Sequence, residues 1–311
     1  MDDHIFDADG LIRRQKVVEA GVADDHLLRT AVRDGALDRI YSGVYVPPPG
    51  SLSSMAQREL HYRRKVLAAA GKGEGTKAVS HQSAAALHGI PLLDADLDDV
   101  HFTANRPSGG RRQDRACVLH AATWEADETV ELAGVLTTSL ARTAVDVARS
   151  GSFAQALAVF DATLRRGVSS EELTEIVLRG GRRHGATTAR RALARADGDS
   201  ESVGESFSRA LMLGFTDIPL PELQREYSTP SGEKIARVDF DWVGRLVGEF
   251  DGRKKYTAHG DAADAVWREK VREDQLRDLG LIVIRWIWDD LRHPERFRAI
   301  LIRGLRRAGL L

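Results

Sequence analysis

Cysteine is almost absent from this chain: Cys117 stands alone among 311 residues. That excludes a disulfide framework and any cysteine-rich zinc site. Long apolar runs are missing too. The richest, Leu281 to Trp288, is eight residues long and carries Arg285, well short of the roughly 20 apolar residues that cross a bilayer. The opening carries Asp2 and Asp3 and lacks the basic-then-apolar pattern of a secretory signal. No internal repeat or low-complexity segment interrupts the chain. These absences lead us to expect a soluble cytoplasmic protein with no membrane partner.

An excess of one charge is also lacking, with 45 Lys and Arg against 46 Asp and Glu. Non-specific affinity for nucleic acid comes from neutralising phosphates, so bulk charge cannot supply it here. Residues 1–50 hold 6 basic against 9 acidic side chains, and residues 201–311 hold 19 of each. Any DNA contact must come from a clustered face. What is present is ordinary globular composition, 42% apolar and 29% charged. At this length two or three domains are expected.

Composition shifts suggest three segments in an α/β multi-domain chain: 1–50, 51–198 and 199–311. The first closes at the prolines of Val46 to Gly50, the second at the polar stretch Ala196 to Ser202. In the first, Ile12 to Ala20 reads as a helix ended by Gly21, and Asp24 or Asp25 caps a second helix through Val32. Two short strands around Ser42-Gly43 follow. Two helices and a hairpin describe a winged helix-turn-helix, which sets its second helix in the major groove of double-stranded DNA. Arg29 and Arg33 lie on that helix, and bidentate arginines commonly read guanine. Arg39 and Tyr41 of the wing would touch the DNA backbone. The plainer alternative is a helical module showing its charged face to water or to a protein.

The segment 51–198 reads as mostly helical, with two strand candidates at Asp99–Thr103 and Cys117–His120. Met55 to Ala70 has helical spacing, and so does Ser139 to Ala148, continuing through Phe153 to Leu164. His81 and His88 read as cap and core histidines, since a metal pair would more often sit four apart and needs a third ligand. Arg142, Thr143 and Asp146 would form a helix-surface network.

The last segment is the most informative. Helix Val203–Leu213, strands Leu223–Ser228, Ile235–Trp242 and Leu246–Asp251, helix Ala262–Leu279 and strand Leu281–Trp288 give the order α-β-β-β-α-β. Pro294 then opens a final helix. A hairpin centred on Gly244 sets Asp239 across from Glu249, with Asp241 and Asp251 on that face and Val238, Phe240 and Phe250 on the core face. Like charges placed opposite each other destabilise a sheet, so a cation is expected between them. Carboxylate ligands without cysteine suit Mg²⁺ or Mn²⁺. Asp239, Glu249 and Asp251 are the candidate metal ligands, with Glu205 in support and Lys254 or Lys255 near a scissile phosphate. The alternative is a solvated hairpin whose acids pair with nearby Arg and Lys.

Two resemblances cover nearly the whole chain. Residues 11–46, Ser80 to Gly89 and Thr138 to Asp146 resemble AbiEi-type antitoxins and their actinobacterial relatives. Residues 201–311 resemble the very-short-patch-repair-like branch of the PD-(D/E)XK nucleases. That second match rests on Glu205, Val238-Asp-Phe240, Glu249-Phe-Asp-Gly252, Lys255-Tyr256, Arg272-Glu-Asp274 and Leu279 to Trp286. The nuclease resemblance implies that Asp239 and Glu249 bind Mg²⁺; the lysine expected two residues after the glutamate is replaced by Asp251. The antitoxin resemblance implies a repressor of its own operon, partnered by a nucleotidyltransferase-like toxin. Two alternatives stay open: an active DNA endonuclease targeted by its winged helix, and an inert nuclease fold that dimerises or binds the toxin.

Overall fold

The computed structural model describes residues 6–48, 54–71, 76–114, 116–229, 232–252 and 262–311. Among these the protein is mixed α/β, with twelve α-helices and three sheets. Contacts divide it into two compact units, 1–147 and 148–311, where composition suggested three segments. None of the described helices is long and apolar enough to cross a membrane.

The first unit opens with β1 (Ile12–Arg13), α1 (Arg14–Glu19), α2 (Asp25–Arg33) and the hairpin β2 (Asp38–Tyr41), β3 (Val44–Val46). The first helix therefore starts later than its apolar spacing suggests. Ile12 and Arg13 instead pair with Tyr45 and Val44 as a third strand. Asp24 caps α2 by accepting the Leu27 N–H at 2.8 Å, a contact that contributes about 1 kcal/mol. Gly43 makes the hairpin turn at φ 71°, where a Cβ would be strained.

Next come α3 (Met55–Ala70), β4 (Lys77–Val79), α4 (His81–His88), β5 (Val100–Asn105), β6 (Arg112–Asp114), β7 (Cys117–Ala122), β8 (Thr129–Leu132) and β9 (Val135–Thr138). The strands form one sheet in the order β6-β7-β5-β4-β9-β8. This corrects the expectation of a mostly helical middle segment with two strands. Four of the six strands are only three or four residues long, too short for alternation to be legible. Tyr62, Val66 and Leu67 of α3 share one core with Leu11, Val44, Val46, Val79 and Phe102.

The unit boundary falls inside α5 (Leu140–Ser150). The helix does not continue into the next, as its periodicity suggested. Ser152 forms a capping box with Gln155 and starts α6 (Phe153–Arg165) afresh. Then come α7 (Ser170–Arg179), α8 (Ala186–Leu193), α9 (Val203–Met212), β10 (Glu222–Ser228), β11 (Lys234–Trp242), β12 (Leu246–Asp251), α10 (Ala262–Asp278), β13 (Ile282–Ile287), α11 (Trp288–Leu291) and α12 (Pro294–Arg307).

From α9 to β13 the order is α-β-β-β-α-β. The sheet runs β10-β11-β12-β13, antiparallel up to β12, with β13 parallel to β12. A parallel pair needs a long crossover, and α10 supplies it. Phe240, Trp242, Leu246 and Trp286 pack with Phe297, Leu301 and Leu305 of α12, and Phe250 lies against them. Val238 does not join this core as expected; it packs with Ala236, Val247, Leu276 and Leu281. The β10–β11 ladder omits the Gln224–Asp239 step, where Gln224 takes φ 53°.

Candidate functional site

The β11–β12 hairpin pairs Phe240 with Gly248 and Trp242 with Leu246. The ladder ends there, one step short of the expected Asp239–Glu249 pair. Asp239 Oδ2 accepts the Phe250 N–H at 2.9 Å. Glu205 arrives from the first turn of α9, where Ser202 Oγ accepts the Glu205 N–H at 3.1 Å. Its own Oε2 accepts the Glu201 N–H and Gln224 Nε2, both at 2.9 Å.

The helix carrying Glu205 is fixed from several directions. Arg209 reaches Asp161 of α6 at 2.6 Å, and Trp286 Nε1 donates to Ser208 Oγ at 2.8 Å. Close approach to β12 depends on Gly204, whose missing Cβ would lie 1.9 Å from Phe250 Cε1. Gly204→Ala is expected to cost about 1–3 kcal/mol by overpacking, read by urea denaturation. An unchanged midpoint would show that the Phe250 ring swings aside freely.

Burial is the main cause that pushes Asp239 up to about 7, and the charges of Glu205 and Glu249 add to it. The Phe250 N–H and Arg272 pull the other way. A carboxyl in this state takes up a proton or a cation readily near neutral pH. Its two neighbours differ from it. Glu249, 8% exposed, is held by Arg272 at 2.8 Å and by Arg285 Nε at 3.0 Å. Asp241 is buried and accepts from Arg225 at 2.8 Å, from Tyr227 and from the Gly244 N–H.

Asp251 is exposed at the end of β12. Lys254 and Lys255 lie outside the described residues. Among the described residues, the His/Cys/Asp/Glu groups of three or more with ligand atoms mutually within 4.8 Å do not include Asp239, Glu249 and Asp251. Glu249 and Asp241 pair with arginines as the plainer alternative has it, but both are buried where that alternative expects a solvated face.

In the first unit, Arg29, Arg33 and Arg39 are all exposed. The Arg33–Asp34 contact of 3.1 Å is itself in solvent and holds the guanidinium weakly. Beside them Arg14 makes two 2.6 Å contacts with Asp25 at the start of α2. Tyr41 departs from expectation. Its ring packs against the core shared with α3, and its hydroxyl lies 3.7 Å from Cys117 Sγ. This hairpin tyrosine is turned into the protein because β2 lays that face on the core.

Three histidines meet in the first unit that spacing did not bring together. His101 Nδ1 lies 3.0 Å from His120 Nε2, and the His81 ring stacks on His120 with centroids 3.8 Å apart. Burial pushes His81 down to about 3 and His101 to about 4, and lowers His120 too, so all three are neutral at pH 7. His88 belongs elsewhere, with Nε2 on the Thr138 carbonyl at 2.8 Å. Arg142 and its partners are buried, correcting the expected surface network. Arg142 Nη1 meets Glu128 at 2.6 Å, and its Nε meets Asp146 at 3.0 Å. The missed signal was that His101 and His120 both sit in the two strands the sequence does reveal.

The chain is 32% identical over 291 residues to the uncharacterized proteins MT2308 and Rv2248 of Mycobacterium tuberculosis, strains CDC 1551 / Oshkosh and H37Rv. The match covers 91% of this chain and 97% of each relative. The chain belongs to the same family as these two mycobacterial proteins. No protein-family model matches it.

Proposed function

We propose that this protein is a sequence-specific double-stranded DNA-binding regulator of the AbiEi antitoxin kind, acting in the cytoplasm. Its first unit carries a winged helix-turn-helix, and its second a domain of the PD-(D/E)XK type. The observation that carries the reading is α2 beside the β2–β3 hairpin, with Arg29, Arg33 and Arg39 all exposed. Arg29 and Arg33 read base edges from the major groove, and Arg39 lies along the backbone. A nucleotidyltransferase-like toxin and a second copy of the chain are the protein partners this reading entails.

A footprint on DNA upstream of the protein's own gene tests it. Each bidentate contact discriminates by about 1–3 kcal/mol, so Arg29→Ala with Arg33→Ala should erase the footprint while leaving weak, salt-sensitive binding. An unchanged footprint would reject the assigned face.

A second reading, an Mg²⁺- or Mn²⁺-dependent DNA endonuclease, is favoured by Asp239 lying between the charges of Glu205 and Glu249. The donor set fits in part. Asp239 and Glu205 would hold a hard divalent cation, with Glu249 leaving one of its arginines to complete the site. Such a cation would lower the pKa of a bound water and stabilise charge on a phosphodiester. Asp251, exposed where the nuclease resemblance expects a lysine, adds no cationic group. Arg272 and Arg285 already neutralise Glu249. On that balance we favour the regulator.

A further inference from the structure

We propose that His81, His101 and His120 form a zinc site in the first unit, with three imidazole ligands and a fourth position open to water. One ring nitrogen from each lies within 4.8 Å of the other two. In a tetrahedral site with Zn–N near 2.0–2.1 Å, ligand nitrogens stand roughly 3.3 Å apart. The His101 Nδ1 to His120 Nε2 distance of 3.0 Å is already close to that.

The fold builds this arrangement from separate elements. His101 on β5 and His120 on β7 lie on neighbouring parallel strands, where Thr103 pairs with His120 and His101 with Val118. Side chains two apart share a face, so His101, Thr103 and His120 lie on one side of the sheet. His81 comes from the first residue of α4, which takes φ 54°. A positive φ is uncommon outside glycine, and such strain gathers where a side chain must be aimed. Ser80 Oγ lies 3.0 Å from His81 Nδ1. With that nitrogen engaged, Nε2 is the one left to bind.

The surroundings suit a bound ion. Thr103 Oγ1 is buried and has no hydrogen-bond partner, and the residue is fully buried. On the shared face it is placed to bond a metal-bound water, which would satisfy it. Asp146, held by Arg142 at 3.0 and 3.1 Å, lies within electrostatic reach of His81 and His120 and supplies negative charge outside the ligand set. Three imidazoles and no clustered carboxylate select Zn²⁺ over Mg²⁺ or Ca²⁺. One adjustment is needed. An ion must lie near the plane of each ring, and the stacked His81 and His120 rings differ by only 16°. His120, the most exposed of the three, is the ring with room to turn. The proposal is independent of the DNA-binding reading.

The test is zinc titration of the full-length protein after dialysis against a chelator, followed by competition with a chromogenic chelator. One Zn²⁺ per chain and a raised melting temperature are expected, with visible bands of four-coordinate character when Co²⁺ replaces zinc. His120→Gln and His101→Gln should weaken binding by about 100-fold or more, at least the loss seen for outer-shell partners. His88→Gln should bind as the wild type. Because His120 is only partly buried, its variant is expected to keep its circular dichroism spectrum without metal. Absence of stoichiometric binding to the wild type would overturn the proposal, as would wild-type affinity in His120→Gln and His101→Gln.

Discussion

Arg142→Met is expected to lower the unfolding free energy by about 3–5 kcal/mol, the loss seen when one partner of a buried ion pair is removed. The guanidinium serves two acids at once. Its Nη1 lies 2.6 Å from Glu128 Oε2, its Nε lies 3.0 Å from Asp146 Oδ1, and the three side chains are only 6%, 4% and 6% exposed. Nη1 also donates to the Thr123 carbonyl at 3.2 Å. Burial alone works against the guanidinium charge, and Asp146 and Glu128 more than offset it. With Arg142 gone, two buried carboxylates lose the guanidinium that bridges them. Arg142→Lys should recover part of the loss, because an ammonium keeps the charge but cannot bridge both acids in a planar fork. Guanidinium denaturation curves decide the point. A change below about 1 kcal/mol would mean that solvent reaches the site and screens the acids.

Asp239→Asn is expected to stabilise the protein above neutral pH in metal-free buffer, and the sign follows from linkage. Asp239 sits at about 7 in the folded chain against 3.8 when unfolded. Between these values the folded state holds the extra proton, so stability falls as pH rises through that window. The penalty is absent below the unfolded value and complete above the folded one, reaching about 4 kcal/mol at most. The amide carries no charge and escapes the penalty. At pH 8 the variant should therefore exceed the wild type by an amount that shrinks to nearly nothing toward pH 4. Parallel stability curves for the two proteins would place Asp239 in water, away from Glu205 and Glu249.

These predictions rest on residues of unequal legibility. The strands from Leu223 to Asp251 were readable because they are long and alternate, and Gly244 marks the turn between them. Alternation about that turn sets Asp239 across from Glu249, one step beyond the last ladder pair, Phe240 with Gly248. The long-range partners were not readable. Arg272 and Arg285 come to Glu249 from α10 and β13, and no local pattern announces an ion pair between distant elements. Asp251 shares the parity of Asp239, yet the end of β12 lies in solvent. In the first unit the short strands hid a six-stranded sheet. Without that sheet His101 and His120 could not be seen as neighbours, nor His81 as their third. Tyr41 shows a related limit, since alternation alone does not say which side of a hairpin the rest of the chain will cover.

Incubation with supercoiled plasmid, with and without Mg²⁺ or Mn²⁺ and beside Glu249→Ala, tests the regulator reading most directly. The wild type is expected to shift the plasmid and leave it supercoiled under every condition. Failure to shift it, or metal-dependent nicking that Glu249→Ala loses, would contradict the account, and the second outcome would make the protein an endonuclease.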